Sequence, residues 1–144
     1  MIKIPYYETS YFSFSNFSSH SIKIDGVLYP TVEHAFHAAK FDNEKIKEEI
    51  KSAGSPLKAF EIGKKYKPQR RSNWDETKVS VLQKIIAEKV KQHDEVRKAL
   101  LATGNEEIIE DNPLDDFWGN GKDGNGQNHM GKILMRIRNE LQFQ

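Results

Sequence analysis

Hydrophobic residues recur along the chain in two rhythms, and each rhythm predicts a different element. In "SIKIDGVLY" Ile22 and Ile24 alternate with polar residues up to Asp25-Gly26, a favoured two-residue turn, so the segment reads as a hairpin. Pro30 stops the second strand, and Thr31 is placed to cap a helix beginning at Val32. A second helix is predicted from Asn43 to Ala53, and Ser55-Pro56 supplies an N-cap and a first-turn proline for a third, "LKAFEIGKKY". Asn73 opens a long amphipathic segment from Trp74 to about Gln92, with Val79, Leu82, Ile86 and Val90 along one face. Asp94 starts a further helix that ends near Gly104, "EEIIED" reads as a short strand, and a last helix spans roughly Lys132 to Leu141. The pattern predicts an α+β protein, predominantly helical, with a small β-hairpin or sheet.

Composition narrows the class without naming a function. A chain of 144 residues is most simply one domain, 1–144, and large enough to bury roughly 70% of its unfolded surface. A net charge of +1 argues against a dedicated duplex-DNA binder, whose basic excess is usually large. With no cysteine there are neither disulfides nor thiolate metal sites. No apolar run reaches signal-peptide or membrane-spanning length, so a cytoplasmic location without membrane partners is expected.

The helix "TVEHAFHAAK" carries the first candidate chemistry. Val32, Ala35, Phe36 and Ala39 form its buried stripe, while Glu33, His37 and Lys40 fall within roughly 60° of one another on an adjoining face. Glu33 sits in the first turn, where free backbone N–H groups favour an anion, so it serves either a ligand or simply the helix dipole. Lys40 lies about 10 Å further along the axis, yet long helical side chains lean back toward the N-terminus and one ligand can touch both. His34 and His37 stand three apart rather than the four of a zinc-protease helix, and no third ligand is evident, so no metal is expected and His37 reads as a wall residue.

The second candidate is "EDNPLDDFWGNGKDGNGQNHMG", which follows a strand and precedes a helix. Five of the nine glycines lie between Gly119 and Gly131. Their spacing fits neither the P-loop nor the dinucleotide fingerprint, and no cofactor is expected. Two readings stand: turn geometry, or bare backbone at Gly119 and Gly121 approaching a phosphate or sugar. Trp118 at the loop mouth and Trp74 after "KPQRRSN" offer flat faces on which a base can stack, or else they are packing residues. Arg70 and Arg71 suit phosphate, Asn16 and Asn128 suit sugar hydroxyls, and Asp115 is either a second working carboxylate or an Asx-turn residue after Pro113.

Taken in order, "FSNFS" (14–18), "YPTVEHAFHAAKF" (29–41), "SP" (55–56), "NW" (73–74), "LLATG" (100–104), "IIE" (108–110), "DDFWGNG" (115–121) and "GQNHMGKILMRIR" (126–138) resemble the NADAR family, also called YbiA-like. The resemblance covers about Tyr11 to Leu141. It implies an N-glycosidase acting on a ribose–nitrogen bond, with two associated substrate types: phosphoribosylated intermediates of riboflavin synthesis, and ADP-ribose attached to guanine. The partner so implied is a small nucleotide or an ADP-ribosylated guanine, free or within single-stranded nucleic acid. By the same resemblance Glu33, Trp74, Asp115 and Trp118 fall on active-site positions, and Lys40 matches a lysine that follows the glutamate and takes a covalent role. The expected site therefore comprises Glu33, Lys40 and Asp115 as catalytic residues. Asn16, Phe17, His37, Arg70, Arg71, Trp74, Trp118, Gly119, Gly121 and Asn128 are its substrate contacts. Asn120 stands where some relatives carry aspartate, which bears on substrate choice more than on reaction type. The alternative is a non-catalytic module that binds ADP-ribose or a related nucleotide, in which the carboxylates have no required role.

Overall fold

The computed structural model describes residues 1–5 and 10–144. Its fold is α+β, with six helices and four short strands among the described residues. The chain divides into two compact units, residues 16–92 and residues 1–15 with 93–144.

The central unit begins with the hairpin strands β2 (Ile22–Ile24) and β3 (Val27–Tyr29), numbered after the β1 described below. They pair antiparallel, Ile22 with Tyr29 and Ile24 with Val27. Asp25 and Gly26 take φ of 50° and 83°, the left-handed values that a two-residue hairpin turn requires. Helix α1 (Val32–Ala38) starts at Thr31, whose Oγ1 accepts the His34 N–H. Helices α2 (Glu44–Lys51) and α3 (Pro56–Lys65) are capped by Asn43 and Ser55 in the same manner, with Pro56 in the first turn of α3. The long α4 (Trp74–Gln92) presents Leu82, Ile85, Ile86 and Val90 to the core, while Val79 is only half-buried. Helix α1 packs on α2, α3 and α4, so all seven of its residues are buried, the polar ones included.

Helix α4 also buries a lysine. Lys89 is 2% exposed and its Nζ donates to Ser18 Oγ at 2.8 Å. Burial pulls its pKa from 10.5 down to about 7. An unfolded lysine keeps its proton to about pH 10.4, so between about pH 7 and that value the unfolded chain holds the extra proton. Stability contributed by Lys89 therefore rises with pH across this window, by at most about 1.4 kcal/mol per unit. Urea unfolding at pH 7 and pH 9 is expected to show the wild-type midpoint climbing more steeply than that of Lys89→Met. Equal slopes would mean that Lys89 binds its proton alike in both states.

The other unit is built around a parallel pair. Strand β1 (Ile2–Ile4) lies beside β4 (Ile108–Glu110), with Ile2 opposite Ile108 and Ile4 opposite Glu110. Ile2, Ile4 and Ile108 are buried while Lys3 faces water, the period-two alternation of a half-covered strand. Helix α5 (Asp94–Ala102) and helix α6 (His129–Gln142) pack together, and α6 lies on β4. Their core is Val96, Leu100, Met130, Ile133, Leu134 and Ile137, and the buried Arg138 is held by Thr103 Oγ1 at 2.9 Å and the Glu106 carbonyl at 2.7 Å. No helix among the described residues is long and apolar enough to cross a membrane.

Candidate active site

The central unit gathers most of the expected residues around α1. Glu33 occupies the first turn, 9% exposed, and its N–H donates to the Asn16 carbonyl at 3.1 Å. One turn later His37, 3% exposed, places Nε2 2.5 Å from Glu33 Oε1. His34 is spoken for differently: Thr31 Oγ1 lies 2.8 Å from its Nδ1, and its Nε2 donates to the Ala53 carbonyl at 2.9 Å. One nitrogen of His34 thus braces the cap of its own helix and the other ties α1 to the segment after α2, so both are engaged.

Lys40 follows just beyond the end of α1. Its Nζ sits 5.4 Å from the Phe36 ring centroid and 5.9 Å from that of Trp74, and the two rings lie 5.2 Å apart. Burial among these rings lowers the Lys40 pKa from 10.5 to about 8; Glu33 opposes the shift, while Arg70, Lys78 and Lys67 reinforce it. Neutral amine is therefore accessible near pH 8, which is what attack on a carbonyl carbon demands. The Arg71 N–H donates to the Lys40 carbonyl at 2.8 Å, tying the Arg70–Arg71 segment to the end of α1, and the Arg71 guanidinium stands 5.6 Å from the Trp74 centroid.

Trp74 reads from the sequence as either a stacking face or a packing residue. It is 3% exposed, which favours packing. Phe36, Lys40 and Arg71 already line it, and it forms the wall that dehydrates the lysine. Phe17 is 37% exposed near the start of this unit. Asn16 Oδ1, His37 Nδ1 and Arg71 Nε are buried without a hydrogen-bond partner among the described residues. Unsatisfied buried polar atoms are uncommon in folded proteins, and three expected site residues carry them here.

The glycine-rich segment belongs to the other unit, and its residues have internal reasons. Asp115 Oδ1 accepts the N–H groups of Phe117 at 3.0 Å and Trp118 at 2.8 Å, the Asx-turn arrangement, so this oxygen holds the loop together. A Cβ on Gly119 would stand 2.8 Å from the Glu110 carbonyl oxygen, and Gly121 takes φ +71°. Asn128 Oδ1 accepts the Glu110 N–H and its Nδ2 donates to the Ile108 carbonyl, both at 2.9 Å. Close backbone crossing at Gly119, the left-handed turn at Gly121 and the Asn128 clamp on β4 each give these residues a structural reason to be present. Trp118 is half-buried and meets Phe117 edge to face at 4.7 Å.

A cavity of about 440 Å³ opens elsewhere on the central unit, bordered by Tyr29, Ala35, Ala39, Val81 and Ile85. Of the candidate residues only Arg71 reaches it. Its rim charges include the pairs Lys51–Glu48 and Lys84–Asp25. Two contributors near Glu33 escaped the sequence reading: Phe60, edge-on to His37 at 5.5 Å, and Gly63, whose missing side chain admits the imidazole. An isolated glycine inside a helix was the available signal.

The sequence profile of the NADAR domain matches residues 4–142. The N-glycosidase YbiA of Escherichia coli is 41% identical over 140 residues, covering 96% of this chain and 88% of that protein. An N-glycosidase of Nostoc punctiforme is 39% identical, covering 91% of this chain and 86% of its own. A riboflavin biosynthesis protein of Vibrio vulnificus is 38% identical over 89% of this chain, which spans 35% of that longer protein. The solution structure of Escherichia coli YbiA superimposes with a TM-score of 0.88 at 39% identity, covering 99% of this chain and 86% of the other. The fold and the motif order define an α+β domain of the YbiA type. The chain belongs to the NADAR family.

Proposed function

We infer that the protein is an N-glycosidase that hydrolyses the bond between a ribose carbon and a base nitrogen. The observation that carries this reading is a buried carboxylate, Glu33, on the same helical stretch as a lysine whose pKa burial lowers to about 8. Breaking an N-riboside builds positive charge at the anomeric carbon and requires water or an amine to arrive there. Glu33 answers the first need as a negative charge fixed in a partly dehydrated setting, and the second as a base for water. Lys40 supplies the covalent alternative: its neutral amine attacks the anomeric carbon and displaces the base, which leaves with the amine's proton; the ring then opens to an imine, and water hydrolyses that imine to return the sugar and the free lysine. Asn16 and Arg71 carry unsatisfied polar atoms suited to a sugar hydroxyl and a phosphate. Asp115 is read as the holder of its loop, and Glu33 as the acting carboxylate.

Two substrate classes share this chemistry, ADP-ribose on guanine and a phosphoribosylated riboflavin-pathway intermediate. Relatives bearing the names N-glycosidase and riboflavin biosynthesis protein support the reaction class. The deciding experiment incubates the protein with ADP-ribosylated guanosine and, in parallel, with a phosphoribosylamino pyrimidine, and follows release of the free sugar phosphate. Release from one and not the other assigns the substrate. Saturable binding with no release from either would make the protein a binding module.

A further inference from the structure

His37 is buried on both sides, but its two ring nitrogens face different surroundings. Nε2 meets the Glu33 carboxylate at 2.5 Å. Nδ1 has no hydrogen-bond partner among the described residues. Helix α3 closes over that atom: a Cβ on Gly63 would stand 2.9 Å from Nδ1, and Phe60 turns its ring edge to the imidazole at 5.5 Å. Phe36 covers the ring from α1 at 5.7 Å. A neutral imidazole has one N–H to place and an imidazolium two. A proton on Nδ1 would be a buried donor without an acceptor, the costly kind of unsatisfied group, whereas a proton on Nε2 has a carboxylate oxygen to receive it.

We propose that His37 is a positioning residue: its Nε2–H fixes the Glu33 carboxylate in the ionised, proton-accepting form, and the close approach of Gly63 withholds any partner for a second imidazole proton. The proposal rests on the reading of Glu33 as the acting carboxylate. Its consequence is a division of labour. Glu33 enters the reaction as a charge stabiliser and base, so the proton taken by the departing base comes from water or from the Lys40 ammonium. His37 then holds the carboxylate and is not itself a wall against the substrate.

Two measurements on the full chain test this. Long-range proton–nitrogen NMR spectra with labelled histidine report the tautomer of each of the five imidazoles, and His37→Gln identifies the His37 signals by their loss. At pH 7 the His37 ring is expected as the neutral Nε2–H form. An imidazolium or an Nδ1–H form would overturn the proposal. In kinetics, His37→Leu is expected to lower kcat at least about tenfold with little change in KM, because it removes an orienting bond and not a binding contact. His37→Gln, which restores an N–H donor four residues from Glu33, should recover most of that loss. Wild-type turnover in His37→Leu would equally overturn it. Should the wild-type protein hydrolyse neither substrate class, the glycosidase reading fails on its own, while the tautomer still decides the Glu33–His37 pairing.

Discussion

Glu33→Gln is expected to leave the protein folded and to lower turnover at least about a hundredfold, the lower end of what a positioned acid–base group contributes. The substitution preserves shape, and the amide oxygen of Gln still accepts the His37 Nε2–H that Glu33 Oε1 accepts at 2.5 Å. What disappears is the negative charge, and with it both the attraction for a cationic sugar carbon and the capacity to take a proton from water. Helix α1 also loses an anion in its first turn, worth about 0.3–1 kcal/mol, so a small drop in melting temperature is expected. The pair of measurements, thermal melt and kcat on the same preparation, separates the two effects. A variant that melts like wild type and turns over like wild type would remove Glu33 from the chemistry.

The second large effect concerns Lys40. With its pKa lowered to about 8, the amine passes from mostly charged to mostly neutral between about pH 7 and pH 9. If the amine attacks the anomeric carbon, kcat/KM rises with pH and levels off above about 8, since only the neutral form is nucleophilic. Borohydride added during turnover would reduce the imine and leave a stable sugar adduct at Lys40, seen as a mass increase on the peptide that contains it. Lys40→Ala should abolish the adduct and depress activity by two orders of magnitude or more, in keeping with loss of a nucleophile. No adduct, together with an active Lys40→Ala, would leave direct attack by water on the anomeric carbon.

Helix and turn boundaries were the most legible part of the fold because they rest on local chemistry. Asp25-Gly26, Thr31, Asn43 and Ser55-Pro56 each dictate a backbone conformation or satisfy a free N–H within a few residues, and each sits where its type suggests. Helix α4 runs from Trp74 to Gln92 as its apolar period indicates. Strand β1 was not legible: "IKI" is too short to show a period, and its partner lies far along the chain at Ile108–Glu110. The last helix begins at His129, three residues earlier than expected. Asn128 takes a left-handed φ of 51°, and bare Gly131 lets α6 cross β4 where a Cβ would be 2.0 Å from the Ile108 carbonyl oxygen. Neither constraint is local.

The site divides in the same way. Helical spacing alone puts Glu33, His37 and Lys40 on one face, and the structure joins the first two by a hydrogen bond. The burial of Glu33 and His37 was not legible, because three packed neighbours of α1 decide it and polar side chains ordinarily face solvent. Trp74 shows why two readings stand. An indole after a basic run invites a stacking role, yet Phe36 and Lys40 reach it first. The packing reasons for Gly119 and Gly131 lie in the positions of Glu110, Asn112 and Ile108, which local sequence does not reveal.

The pairing of β1 with β4 has a bearing on how the protein is made. On the ribosome β1 emerges well before its partner, with residues 16–92 translated in between. For that interval its N–H and C=O groups form an open edge that any extended segment could join. Lys3, charged and solvent-facing at the middle of the strand, is a deterrent to such mispairing. Replacing it with an apolar residue would therefore be felt in the yield of nascent chains more than in the melting of the finished protein.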